Sequence, residues 1–141
     1  MSVEITLARA EKAIEAGQAK AAEYGIAFTI SVVDPGGHVV AVSRMDGAAL
    51  ASVELSQAKA RTSVLFAQPT KALVAAVQPG APLFGIETST GTRLAFVAGG
   101  IPVAGLNGRI TGAVGVGGGT PDHDQQVAEA VLSALESAAH G

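Results

Sequence analysis

Gly112-Ala113-Val114-Gly115-Val116-Gly117-Gly118-Gly119-Thr120-Pro121-Asp122-His123-Asp124 is the stretch on which the reading of this chain turns. A strand of small and β-branched residues runs into a glycine turn, and the turn runs straight into a helix. Thr120 carries the hydroxyl of an N-cap, and Pro121 takes the first helical position, where its missing N–H costs nothing. Asp122 and Asp124 suit the positive end of the helix dipole. Val127, Val131, Ala134 and Ala138 recur at helical spacing and mark the buried face. Glycine in such a turn signals positive φ or the close approach of another group. Free N–H groups at a helix start suit a small anionic or polar ligand, with Gly117, Gly118 and Thr120 as the contacts expected here. The turn lacks the Gly-Lys-Ser/Thr ending of a P-loop, and no Gly-x-Gly-x-x-Gly occurs, so nucleotide binding is unsupported. Asp122-His123-Asp124 does not make a metal site, because adjacent residues project differently from a helix.

Working outward, Arg93–Ala98, Ile101–Leu106 and Arg109–Val116 read as three short strands, joined by Gly99-Gly100 and Asn107-Gly108. Residues 26–45 read as a β-hairpin around Asp34-Pro35-Gly36-Gly37. A helix is predicted over Ser2–Glu23, with Val3, Leu7, Ala10, Ile14, Gly17 and Ala21 on one face and Gly25 as its stop. A second is predicted over Ala49–Phe66, with Leu50, Val53, Ala60 and Val64 on one side and Pro69 closing it. Lys71–Val77 reads as a short helix before the loop at residues 78–82. The order α-β-β-α-α-β-β-β-α predicts an α+β fold in a single domain, residues 1–141. Its core is an antiparallel sheet of about five strands, packed on one side by the N-terminal, central and C-terminal helices.

Composition narrows the function. Hydrophobic residues make up 48% of the 141 and charged residues only 15%, which predicts that a homo-oligomer hides part of the surface. The net charge of −3 and the absence of a basic run argue against nucleic-acid binding. With no Cys there is no disulfide, thiolate metal site or cysteine nucleophile. No signal peptide and no apolar stretch of spanning length is seen, so a soluble, cytoplasmic protein without membrane partners is expected.

Two further groups of residues carry chemistry. Asp34, His38, Arg44 and Asp46 lie on or beside the first hairpin, where His38 can carry protons near neutral pH or ligate a metal. The alternative makes His38 a turn-edge residue and Arg44 a solvated charge. On the central helix, Ser52, Ser56, Lys59 and Ser63 share one face, while Glu54 and Arg61 share another. That polar stripe lines a pocket, or it is an ordinary wet face. The serines lack a glycine-elbow context, so no nucleophilic triad is present. His38 or His123 would serve as axial ligand to haem, against which the 4% aromatic content counts.

The same segments resemble the GlcG/HbpS-like family, the haem-degrading-domain proteins, which includes the C-terminal domains of PduO proteins. The resemblance rests on Val32–Val40, Arg44-Met45-Asp46-Gly47-Ala48, Ser52–Thr62, Pro69-Thr70, Gly99–Val103 and Gly112–Gly118. It implies a compact antiparallel sheet flanked by helices, and homo-oligomers from dimers to octamers. Relatives of this kind bind or degrade haem, bind corrinoids, or act as lyases on small aromatics such as hydroxylaminobenzoate. The first expectation is a lyase or isomerase that needs no cofactor and works by acid–base chemistry on a small organic acid or aromatic carboxylate. His38, Glu54 and Lys59 would be its catalytic groups, with Arg44, Asp46, Ser56, Gly117, Gly118 and Thr120 binding substrate. The alternative is a haem or tetrapyrrole-binding protein with His38 as ligand. A third reading is a non-catalytic accessory subunit.

Overall fold

A computed structural model describes residues 4–140 of the chain, with side-chain placement through Ser137. Ser2 and Val3 of the first predicted helix, and the Ala138 side chain of the last, lie outside the described residues. The elements run α1 (Leu7–Tyr24), β1 (Thr29–Val33), β2 (Val39–Arg44), α2 (Ser52–Phe66), β3 (Gly100–Ala104), β4 (Ile110–Gly117) and α3 (Pro121–His140). The four strands form one sheet in the order β2-β1-β4-β3, and every neighbouring pair is antiparallel.

The sheet is the middle of three layers. α1 and α3 pack on each other and cover one face, and α2 covers the other. β1 is therefore buried along its whole length, and its alternating side chains sort to two different cores. Ile30 and Val32 join Val114, Val116, Ile101 and Val103 under α1 and α3, where they meet Ala13, Ile14, Val127, Val131 and Leu135. Each fully buried aliphatic side chain of this kind is worth about 2 kcal/mol. The opposite face is made of small or hydroxylated residues, and Val33, Ala60, Val64 and Ala113 form its only apolar cluster among the described residues.

Local signals explain the element ends. The Arg9 N–H donates to Thr6 Oγ1 at 3.2 Å, so α1 starts at Leu7 rather than Ser2. Gly25, at φ 65°, stops it in the left-handed conformation. At the start of α3 the His123 N–H donates to Thr120 Oγ1 at 3.2 Å.

Four expectations are corrected. The sheet has four strands rather than five, because residues 93–98 do not pair in it. That segment lies along α2, where the Ala95 N–H donates to Thr62 Oγ1 at 2.8 Å and the Arg93 carbonyl accepts from Arg61 at 3.0 Å. Helix side chains thus satisfy backbone groups that a ladder would otherwise take. The helices lie on both faces of the sheet rather than one, since a fully buried central strand needs cover on each side. In addition, α2 begins at Ser52 and leaves Leu50 86% exposed, because its packed face is the one carrying serines. Finally, the predicted short helix at Lys71–Val77 is two 3-10 turns, Thr70–Leu73 and Ala75–Val77.

Candidate functional site

The polar stripe of α2 is neither a wet face nor a pocket wall. It is the surface by which the helix packs on the sheet. Ser52 Oγ lies 2.7 Å from Thr29 Oγ1, and Ser56 Oγ lies 2.7 Å from Ser31 Oγ, so each buried hydroxyl meets one on β1. The strand side of this contact is glycine. A Cβ at Gly115 would collide with the Ser56 carbonyl and lie 2.6 Å from the Ala60 nitrogen, and one at Gly100 would lie 2.8 Å from the Lys59 carbonyl carbon. Glycine is required here so that helix backbone and strand backbone can touch.

Lys59 continues past that contact. Its stem runs beside Gly99, whose missing Cβ would lie 3.1 Å from Lys59 Cδ and 3.0 Å from Asp124 Cβ. Lys59 Nζ reaches Asp124 Oδ2 at 2.8 Å and donates to the Val116 carbonyl at 2.9 Å. Asp124 Oδ1 accepts the Gly119 N–H at 2.9 Å, which closes the glycine turn onto the helix start. Burial pushes the Asp124 carboxyl above the ordinary carboxylate range, opposed by Lys59 and by the Gly119 N–H. Gly118 and Gly119 are filled against Ala27 and the Phe28 ring, and Gly117 against Ser52. The turn thus has little room for side chains at these positions, its Gly119 N–H is taken by Asp124, and the Thr120 hydroxyl accepts the His123 N–H of the cap.

His38 stands apart from this buried network. Asp34 Oδ1 accepts the N–H groups of Gly36 and His38, each at 2.9 Å, and lies 3.4 Å from His38 Nδ1. The His38 N–H above all holds the Asp34 carboxyl below its ordinary value. A carboxylate at Nδ1 favours the tautomer with the proton there and leaves Nε2 free as base or ligand. The His38 side chain is 83% exposed. Arg44 and Asp46 are exposed too, but they lie at and beyond the far end of β2. At roughly 3.4 Å per residue that is about 20 Å from His38, so the hairpin residues do not form one cluster.

A groove runs between α2 and residues 93–95. It has a volume of about 280 Å³ and is lined by Glu54, Leu55, Gln57, Ala58 and Arg61 of α2 and by Arg93, Leu94 and Ala95. Arg93 Nη1 pairs with Glu54 Oε2 at 3.0 Å across the exposed rim. The turn that carries His38 packs on the stem of Arg61, since a Cβ at Gly37 would lie 3.1 Å from Arg61 Cγ. Of the candidate catalytic groups, His38 and Glu54 thus share this side of the molecule, while Lys59 is buried away from it. Arg61 and Arg93 are the cations the groove presents. Arg93 escaped notice because its segment reads as a strand. His123 lies on the opposite side of the sheet, stacked on Tyr24 of α1 with ring centroids 4.5 Å apart. Among the described residues no group of three His, Cys, Asp or Glu could hold a metal ion, and no helix is long and apolar enough to cross a membrane.

Residues 5–133 match the family described as haem degrading protein HbpS-like, and the chain belongs to that family. A 15.0 kDa protein of Citrobacter freundii, described as uncharacterised and encoded in the dhaT–dhaS intergenic region, is 44% identical over 91% of this chain and 89% of its own length. The crystal structure of Klebsiella pneumoniae protein ORFY superposes with a TM-score of 0.90 at 38% identity, covering 97% of this chain and 94% of that one. A haem complex of PduOC superposes with a TM-score of 0.86 at 28% identity, covering 93% and 94%.

Proposed function

We propose that this protein binds a planar, carboxylate-bearing ring of the haem class on the side of the molecule formed by the β1–β2 turn and the groove, with His38 Nε2 as the donor to its metal. The observation that carries this reading is the Asp34–His38 pair. An exposed imidazole whose Nδ1 faces a carboxylate 3.4 Å away is set up to present Nε2 outward. The groove beside it adds apolar Leu55, Ala58, Leu94 and Ala95 and two guanidinium groups suited to ring carboxylates. The family description and the haem-bound relative lend support. When bound, haem would supply redox chemistry, and the residues of this chain would bind and orient it.

A haemin titration followed at the Soret band tests this. Wild-type protein should saturate near one haem per chain, and His38→Ala should lose or shift the band. An unshifted, saturable band in His38→Ala overturns the assignment of the ligand.

The same pair supports a second reading, acid–base catalysis by a lyase or isomerase on a small aromatic carboxylate. His38 would move the proton and Arg61 would hold the carboxylate, while Lys59 serves the fold. Turnover of such a carboxylate, lost in His38→Ala, would favour it over haem binding. Exposed Leu50, Phe84 and Leu106 support self-association, which light scattering would measure.

A further inference from the structure

Arg61 is a cation without an acid. Among the described residues its one hydrogen bond runs from Nη1 to the Arg93 carbonyl at 3.0 Å, and it makes no ion pair. Its stem is held by the Gly37 turn, and its head lines a groove whose apolar walls are Leu55, Ala58, Leu94 and Ala95, with Glu54, Gln57 and Arg93 completing the lining. A guanidinium fixed in this way beside apolar walls matches a carboxylate joined to a flat hydrocarbon. The groove volume of 280 Å³ suits a small molecule, since it equals the share of about nine liquid waters.

Glu54 is the second element. Its pair with Arg93 spans the rim at 3.0 Å, with both side chains more than three-quarters exposed. Exposed pairs of this kind are weak. A carboxylate arriving in the groove meets Arg61 unopposed and takes Arg93 in exchange for Glu54. We propose that the groove between α2 and residues 93–95 is a binding site for an aromatic or short-chain carboxylate, in which Arg61 is the anchor and Glu54 a built-in competitor. The proposal rests on the carboxylate-bearing ligand proposed above, but not on its metal or on His38.

Benzoate, titrated into the full chain at low ionic strength and followed by amide chemical shifts, is the probe. Binding should perturb residues 54–61 and 93–95. Glu54→Gln should tighten it about fivefold, by removing one opposing charge. Arg61→Gln should weaken it at least about tenfold, with Arg61→Lys between the two. Glu54→Gln keeps the test open if Arg61→Gln fails to fold. Equal affinity in wild type and a folded Arg61→Gln overturns the site, and so does weaker binding in Glu54→Gln. Benzoate binding that depends on Arg61, in a protein that does not bind haemin, would uphold the groove and overturn the haem reading. Haemin binding without benzoate shifts in the groove would do the reverse.

Discussion

Lys59 Nζ lies 2.8 Å from Asp124 Oδ2 with the two side chains only 3% and 4% exposed, so helices on opposite faces of the sheet are joined by one buried ion pair. The pair passes the sheet where Gly99 has no side chain. Removing one partner strands the other charge without solvent, which typically costs about 3–5 kcal/mol. Lys59→Ala should therefore fall in that range by denaturant unfolding. The double variant Lys59→Met/Asp124→Leu should recover much of the loss, because it leaves no charge behind. A Lys59→Ala protein of wild-type stability would contradict the structural role assigned here.

Gly115 makes a sharper steric test. A Cβ there has no room against the Ser56 carbonyl and the Ala60 nitrogen, both of them backbone. Overpacking against backbone forces the helix off the sheet, so Gly115→Ala should lose at least about 3 kcal/mol. Gly91 has open space around it and no positive φ. Gly91→Ala should stay within about 0.5 kcal/mol of wild type.

The hydroxyl pair Ser31–Ser56 is buried at 2.7 Å. Either alanine variant leaves the remaining hydroxyl with one partner fewer, at a cost of about 1–2 kcal/mol. The double variant should cost less than the sum of the singles, since neither hydroxyl is then left behind. Additive losses in a double-mutant cycle would mean the two hydroxyls are not coupled.

Acidification should act through Asp34. Its carboxyl is held below the ordinary value of 3.8, chiefly by the His38 N–H. A depressed folded-state pKa contributes stability that is present above the unfolded value and lost as pH falls through the folded one. Thermal melts between about pH 6 and about pH 2 should therefore show a steeper acid limb for wild type than for Asp34→Asn. Parallel limbs would remove Asp34 from the acid response.

Signals carried by one or two residues were legible in the sequence. Gly25 ends α1, Asp34-Pro35-Gly36-Gly37 turns the first hairpin, and Thr120-Pro121 opens α3, because caps and turns are set by local backbone chemistry. The turn at Asn107-Gly108 was also legible, although it closes as a wider Gly105–Arg109 loop. Residues 93–98 misled because an apolar run reads alike whether its backbone pairs with a strand or lies along a helix. The groove was invisible for the same reason, as one of its walls is that segment.

The α+β order, the antiparallel hairpins and the position of His38 beside Asp34 follow from the sequence itself, since each depends on residues a few places apart. Which face of α2 is buried was decided only in three dimensions. Apolar periodicity pointed to Leu50, Val53, Ala60 and Val64; Ala60 and Val64 are buried, but Leu50 is exposed, and the packed face also holds Ser52, Ser56, Lys59 and Ser63. What selects it is the fit of small hydroxylated side chains to glycines on a strand some sixty residues away, together with an acid on another helix. No local pattern records such a match, because its terms are distance and volume between segments that only the folded chain brings together.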